Sequence, residues 1–525
     1  MADAILSPRG KRPVVAPAKR QEDVAKELVE QEIELLGCGR FHVRMAWYVR
    51  TASCSHAHAA CSVLGLGNAA DAVEILSMGY ILGSYPEPMT GWESSLVSSS
   101  VFVGMLIGGI VGTVLGDQYG RRVLMLASLA LNGCSGLCAA FSPTLSYMVF
   151  FRLLAGVGIG GIAPMLFAVC LEHVPQSARG KYITIISAFW MVGSIFTACL
   201  AWTMLGCYWG TDDRILDVSW RTFSATASIP AFIACGLTYA YVPESPRYLV
   251  AKGYLKEASE TLAYIYAVNG SSRMPAFLGP DDDRLSVDEV SASHQLQTRR
   301  DSLTWYDRWS LLLTTPAPSS SFDLRFTTLL LLVSTFCLSF GSYGISTWIT
   351  RVFQSTNVHN PYANDILYAS AALPGNLIGL FLVDSWGRRP LFAASLFLSA
   401  TCGFVFSLNS SAHEGFIVAI CCLFQAGTTM AWIGYDVMSA EVYPLNMRVS
   451  ALCFLSSTGR LGATFAQLVN GLLMGPPAHI EALLLVTTTV MAIGGIAVLF
   501  LPETEYFDEP NDLPQRQTET HPLLA

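Results

Sequence analysis

A chain of 525 residues with 52% hydrophobic and only 13% charged side chains cannot cover a water-facing surface of its own size. This excludes a soluble globular protein and requires a membrane one. The net charge of −8 comes largely from acidic tails and loops and says little about partners; no nucleic-acid partner is expected.

In chain order, residues 1–58 read as a polar N-terminal tail, whose Lys/Arg and Asp/Glu alternate without an apolar core long enough for a secretory signal. Twelve apolar runs of the roughly 20 residues needed to cross a bilayer as helix follow. They lie near 59–83, 95–115, 123–141, 147–171, 182–206, 222–242, 326–350, 366–383, 390–408, 415–440, 449–474 and 480–501. Six make an N-terminal half (59–242) and six a C-terminal half (326–501), and residues 502–525 are a second polar tail. The stretch between the halves, 243–325, holds Pro, Ser and an acidic run at 281–283 and reads as a linker. Within it, YLKEASETLAYIYAV and LTWYDRWSLLL have helical spacing and fit either helices on the membrane face or solvated loop helices. The fourteen cysteines lie mostly inside apolar runs and read as small packing residues.

Three signatures occur twice, in the same order and at nearly the same offset. Asp117-Gln-Tyr-Gly120-Arg121-Arg122 returns as Asp384-Ser-Trp-Gly387-Arg388-Arg389. Glu172-x-x-Pro-x-x-x-Arg179 returns as Glu441-x-x-Pro-x-x-x-Arg448, and Pro-Glu244-Ser as Pro-Glu503-Thr. The chain is a six-helix unit used twice, an architecture in which secondary transporters build a central site at the repeat interface. Arg121, Arg122, Arg179, Arg247, Arg388, Arg389 and Arg448 all fall in loops on one face, whereas the opposite loops are poor in cations. By the positive-inside rule that face, both termini and the linker are cytoplasmic. Arginines after helix 2 can bridge to acids ending helices 4 and 6, Glu172 and Glu244, with Glu441 and Glu503 as their repeats. Such a latch would hold the cytoplasmic ends together in one state and break in the other; simple positive-inside anchoring is the alternative for the Arg pairs. No Gly-rich Lys-Ser/Thr loop is present to support an ATP-driven pump.

Asp71 and Glu74 sit three apart inside the first apolar run, and therefore near one helix face. Arg152 precedes Glu172 by about 30 Å of helix, which places it at the depth expected of Asp71. An intramembrane Arg opposite an intramembrane Asp partly offsets the burial of both charges. The glycines after Arg152 are read as close helix packing. Arg460 lies about 18 Å up helix 11 from Arg448, near the bilayer midplane, with no acid in its own helix to neutralise it. A guanidinium there can grip a carboxylate with two parallel hydrogen bonds. Tyr343, Trp348, Trp432 and Tyr435, on helices 7 and 10, could stack a flat ring or simply pack.

The Asp-x-x-Gly-Arg-Arg loop, Arg152-x-x-x-Gly-x-Gly-x-Gly, Glu-x-x-Pro-x-x-x-Arg and Pro-Glu-Ser-Pro-Arg together resemble the major facilitator superfamily. Gly37-Cys-Gly-Arg-Phe41, the Asp71/Glu74 pair, GVGIGG (156–161), EVYPLNMR (441–448) and STGRLG (457–462) are similar to its synaptic-vesicle-2-related and organic-ion-transporter branch. The resemblance covers about residues 28–505. The family's Gly four residues before the loop Asp is replaced by Thr113 and Leu380, and the counterpart of Arg152 in the second half is Cys421. Residues 48–63 have no match in the family's shorter chain and read as an insertion, lineage-specific or an unspliced piece of a gene model. Their Cys54, His56, His58 and Cys61 suit zinc as ligands but not in spacing, so no metal and no cofactor are expected.

The resemblance implies an all-α membrane protein of twelve transmembrane helices in two pseudo-symmetric halves. It implies a secondary transporter working by alternating access, and no enzyme. In proton-coupled sugar porters the acid facing the helix 4 Arg carries the proton; by resemblance this role passes to Asp71, with Glu74 as second acid or substrate contact. A permanent structural ion pair is the alternative. In the organic-ion branch an Arg at the place of Arg460 marks anion carriers. The expected activity is proton symport of a small organic anion such as an aromatic monocarboxylate. An organic cation or sugar transporter, or a non-transporting sensor or vesicle protein, are the alternatives. The protein is expected to be a monomer in the lipid bilayer of the plasma membrane or, given an acidic dileucine pattern at Leu523-Leu524, of an endosomal or vacuolar one.

Overall fold

The computed structural model describes residues 63–86, 89–174, 179–206, 219–269, 324–356, 358–443 and 445–503. The Cys54–Cys61 set, the acidic run at 281–283 and Leu523-Leu524 lie outside them. The described residues are almost all helical: α1 (Val63–Ser84), α2 (Gly91–Tyr119), α3 (Arg121–Ala140), α4 (Leu145–His173), α5 (Arg179–Leu205), α6 (Trp220–Ala227), α7 (Ile229–Tyr241), α8 (Pro246–Ala251), α9 (Leu255–Asn269), α10 (Leu324–Ser355), α11 (Pro361–Ser370), α12 (Ala372–Ser385), α13 (Arg388–Leu408), α14 (Glu414–Val442), α15 (Leu445–Leu473) and α16 (Ile480–Leu499).

Local chemistry explains the boundaries. Thr90 opens α2 with a capping box: its hydroxyl accepts from the Glu93 backbone N–H, and the Glu93 carboxylate accepts from the Thr90 N–H at 2.8 Å. In Pro-Glu-Ser-Pro-Arg, Ser245 is the N-cap of α8, accepting from Tyr248 N at 3.2 Å, and Pro246 takes the first helical position, where no N–H is needed. α6 and α7 form one membrane pass interrupted at Ser228, where Pro230 removes a backbone donor. α11 and α12 likewise form one pass, interrupted at Ala371.

Ten of the described passes are long and apolar enough to cross a membrane by composition alone. The remaining two, α1 and α15, complete the expected twelve. They fall short because they carry Asp71 and Glu74, and Arg460 and Gln467, at helical depth. The two least apolar passes are therefore those with the most chemistry inside the bilayer.

The chain divides into two compact units. The first comprises residues 1–308, 346–369 and 467–476; the second comprises 309–345, 370–466 and 477–525. The ends of α10 and α15 and most of α11 thus group with the N-terminal helices, so the division does not follow the duplication alone. In the first unit α2 and α4 lie backbone to backbone. A Cβ on Gly104 would lie 2.9 Å from Gly156 Cα, and a Cβ on Gly112 would lie 2.9 Å from Gly161 Cα. The glycines after Arg152 therefore serve close packing, as read from the sequence. In the second unit Val383, Leu391 and Met430 form a buried cluster between α12, α13 and α14.

Candidate functional site

A buried ion pair lies within the first unit. Arg152 and Glu74 are 1% and 2% exposed, and Arg152 Nη1 stands 2.7 Å from Glu74 Oε1. The same Nη1 donates to Ser77 Oγ at 3.2 Å and to the Glu74 carbonyl at 3.3 Å, and Nη2 donates to Ser224 Oγ at 3.2 Å. Gly136 of α3 makes room for the acid: a Cβ there would lie 2.9 Å from Glu74 Oε2. Asp71 is buried one turn earlier on α1. The sequence argument set Asp71 opposite Arg152; the acid that closes on Arg152 is Glu74. The two acids differ by about 4.5 Å along the axis, less than the reach of an Arg side chain, so depth alone could not choose between them.

The second unit holds an aromatic cluster around a guanidinium. Half-buried Arg460 donates from Nη1 to the Tyr343 hydroxyl at 3.3 Å and lies over its ring, 5.7 Å from the centroid. Tyr343 meets Trp432 edge-on at 6.0 Å, and Trp432 meets Tyr435 edge-on at 5.6 Å. The Trp432 indole donates to Ser342 Oγ at 3.1 Å. Asp436 is exposed, and among the described residues no carboxylate lies within ion-pair distance of Arg460. Trp348, expected with these rings, belongs to the first unit. It is fully buried, and its indole donates to Gln467 Oε1 at 2.7 Å.

The repeated signatures fold alike. Gly120 (φ 103°) and Gly387 (φ 95°) sit in a backbone region that side chains rarely adopt, each directly before a helix. Glu244 Oε1 accepts from the N–H groups of Arg121 and Arg122 at 3.0 and 3.2 Å; Glu503 Oε1 accepts from those of Arg388 and Arg389 at 3.0 and 3.4 Å. A carboxylate from the end of the last helix of each half therefore caps the N-terminus of its third, where the helix dipole favours negative charge. The Arg side chains extend each cluster. Arg121 Nε bridges to Glu172 and Arg388 Nη2 to Glu441, both at 3.2 Å, and Arg388 reaches the exposed Asp384 at 3.7 Å. Arg122 donates to the Tyr239 carbonyl, Arg247 to that of Leu171 and Arg389 to that of Leu499. Each cluster ties three helices of its own unit. The side chains of Asp117, Arg179 and Arg448 lie outside the described ones.

Sequence reasoning missed Asp365. It is 1% exposed and receives a 2.5 Å hydrogen bond from Thr350 Oγ1. The apolar run was expected to start at residue 366, which left this acid in a loop; the helix starts at Pro361 and takes it inside. Among the described residues no group of His, Cys, Asp and Glu could hold a metal ion.

The family model described as "Sugar (and other) transporter" matches residues 42–507. Synaptic vesicle glycoprotein 2A of Rattus norvegicus is 25% identical over 93% of this chain and 81% of its own. Organic cation/carnitine transporter 7 of Arabidopsis thaliana is 28% identical over 90% of this chain and 94% of its own. Among solved structures, the inward open conformation of the xylose transporter XylE from E. coli superposes with a TM-score of 0.65 at 18% identity, covering 84% of this chain and 96% of that one. A D-xylose-proton symporter superposes with a TM-score of 0.62 at 19% identity, covering 84% and 97%.

Proposed function

The chain belongs to the sugar (and other) transporter family of the major facilitator superfamily, a multi-pass membrane transporter and not an enzyme, and from that premise we propose that it is a proton symporter for a small organic anion. The observation that carries the anion reading is Arg460. It is a half-buried guanidinium beside three aromatic rings, hydrogen-bonded to the Tyr343 hydroxyl and within ion-pair distance of no described acid. Such a group favours a carboxylate ligand, which supplies the missing charge and two parallel acceptors. Tyr343, Trp432 and Tyr435 give a flat ring edges and faces to pack on, so an aromatic monocarboxylate fits best.

Proton coupling rests on α1 and α4. Arg152 holds Glu74, which neutralises the cation, and Asp71, buried one turn away, is the acid assigned the transported proton. Alternating access would break and remake the two Arg–Glu clusters on the face that carries them, which is cytoplasmic on this reading together with both termini. Plasma membrane and endosomal or vacuolar membranes are the candidate locations, and the protein acts as a monomer with the bilayer as its partner.

A second reading follows from Asp436. It is exposed in the same unit as Arg460, and the Arabidopsis relative is named for an organic cation. A cationic substrate would use Asp436 and leave Arg460 idle. Uptake into proteoliposomes by wild type, Arg460→Ala and Arg460→Lys, across carboxylates, organic cations and sugars, separates the readings. The anion reading expects carboxylate uptake that Arg460→Ala abolishes and Arg460→Lys weakens. Cation-only uptake, or carboxylate affinity unchanged in Arg460→Ala, would overturn it.

A further inference from the structure

The face opposite the arginine loops carries an ionisable cluster that neither the buried ion pair nor the aromatic cluster uses. At its centre is Asp365 of α11. Its Oδ2 accepts from Thr350 Oγ1 of α10 at 2.5 Å, and its Oδ1 has no hydrogen-bond partner among the described residues. Tyr80 of α1 lies close enough to interact electrostatically with Asp365, and Tyr80 in turn meets Cys199 of α5 and Tyr362 and Tyr368 of α11, none of them a cationic side chain. Among the described residues two arginines lie on this face, and both serve backbone carbonyls. Arg351 donates from Nε and Nη2 to the Leu82 carbonyl at 3.1 and 2.8 Å, and Arg221 donates to the carbonyls of Ala140 and Ser142. Among the described residues no cation is within ion-pair distance of Asp365.

What seals the acid from water is the packing of the end of α10 (346–355) and of α11 on α1; residues 346–369 and α1 belong to the same compact unit. The rings of Tyr80 and Tyr362 stack with centroids 6.3 Å apart, and the Tyr362 hydroxyl meets Ser84 Oγ at 2.7 Å. Gly79 abuts the Thr347 carbonyl, so even a methyl group would not fit there. A carboxylate held in this packing would be almost wholly removed from solvent, with one hydroxyl donor and no counter-ion among the described residues, an arrangement strongly disfavoured for a charge. The neutral acid fits it.

We infer that Asp365 is a proton-binding site built into the closure of this face, occupied when α10 and α11 pack on α1 and emptied when they part and admit water. Closure then takes up one proton from the medium bathing this face. The sign follows by linkage: the closed form binds the extra proton, so raising pH favours the open one. The ratio of closed to open forms falls about tenfold per pH unit once the exposed carboxyl is ionised. The proton enters and leaves on the same side, so Asp365 sets the pH dependence of closure without adding to the protons carried across. The site is distinct from Asp71 and Glu74 and goes beyond the transport reading; no substrate is needed to test it.

The test is a distance measurement between spin labels at two exposed positions of this face, Trp92→Cys and His359→Cys, in protein whose other reactive cysteines are serine. In nanodiscs both faces meet one pH. Wild type should shift from the short-distance to the long-distance population as pH rises. Asp365→Asn, which keeps the shape and the Thr350 contact, should stay short throughout. Equal titration of wild type and Asp365→Asn, or no titration of wild type, would overturn the inference. Should Asp365→Asn fail to fold, infrared spectra of wild type decide the matter. A water-shielded carboxylic-acid carbonyl band should vanish in step with opening; its persistence in the open form, or its absence from the closed one, contradicts the proposal.

Discussion

Glu244 Oε1 lies 3.0 Å from the backbone nitrogen of Arg121, and the duplicated half repeats the relationship at the same distance between Glu503 and Arg388. A side chain from one helix thus completes the N-terminus of another, and the Arg side chain that follows reaches a third helix. The repeated Pro-Glu dipeptide, which sequence alone assigns to a latch, acts on backbone N–H groups more than on side chains.

Replacing that carboxylate separates capping from charge. Glu244→Gln keeps an acceptor and should cost about 0.5–1 kcal/mol of stability, while Glu244→Ala should cost about 1–2 kcal/mol, as for lost helix caps and dipole partners. Thermal unfolding in detergent reads the difference; equal stability of Glu244→Ala and wild type would show the cap to be unimportant.

Gly120→Ala forces a Cβ into a positive-φ position and to within 2.6 Å of a Glu244 carboxylate oxygen. Strain of about 1–3 kcal/mol is expected, with slowed transport because helix, cap and Arg121–Glu172 bridge all hang from this turn. Gly387→Ala should behave alike, since a Cβ there would lie 3.3 Å from Glu503. A fully active, equally stable Gly120→Ala protein would contradict this.

The buried pair on α1 and α4 predicts an asymmetry. Glu74→Gln leaves Arg152 buried without its ion-pair partner and should destabilise by about 3–5 kcal/mol. The double change Glu74→Gln/Arg152→Gln should cost less than the single one. Asp71→Asn, by contrast, should leave folding largely intact, abolish pH-driven accumulation and spare substrate exchange, which needs no net proton movement. Equal loss of accumulation and exchange in Asp71→Asn would make Asp71 a structural or substrate-contacting group.

Much of this was legible in the sequence for identifiable reasons. Long apolar runs report membrane passes directly, and duplicated charged signatures report the two halves, because both depend on composition and order. Depth along a helix could bring Arg152 to α1 but could not discriminate Asp71 from Glu74, one turn apart. Trp348 looked like a ring available to a substrate until its partner, Gln467, appeared from a helix more than a hundred residues away. Asp365 escaped notice because a charged residue at the edge of an apolar run shortens the run. The residues missed or misassigned are those whose meaning depends on contacts between distant helices.

Proton-coupled accumulation by the wild-type protein tests the central claim most directly. Purified protein in proteoliposomes would be given an aromatic monocarboxylate under an imposed pH gradient, acidic outside, and internal substrate and pH would be followed together. The account predicts accumulation above the external concentration, proton entry in step with it, and loss of both when the gradient is collapsed. Uptake that merely equilibrates regardless of the gradient, or accumulation without proton movement, would contradict it.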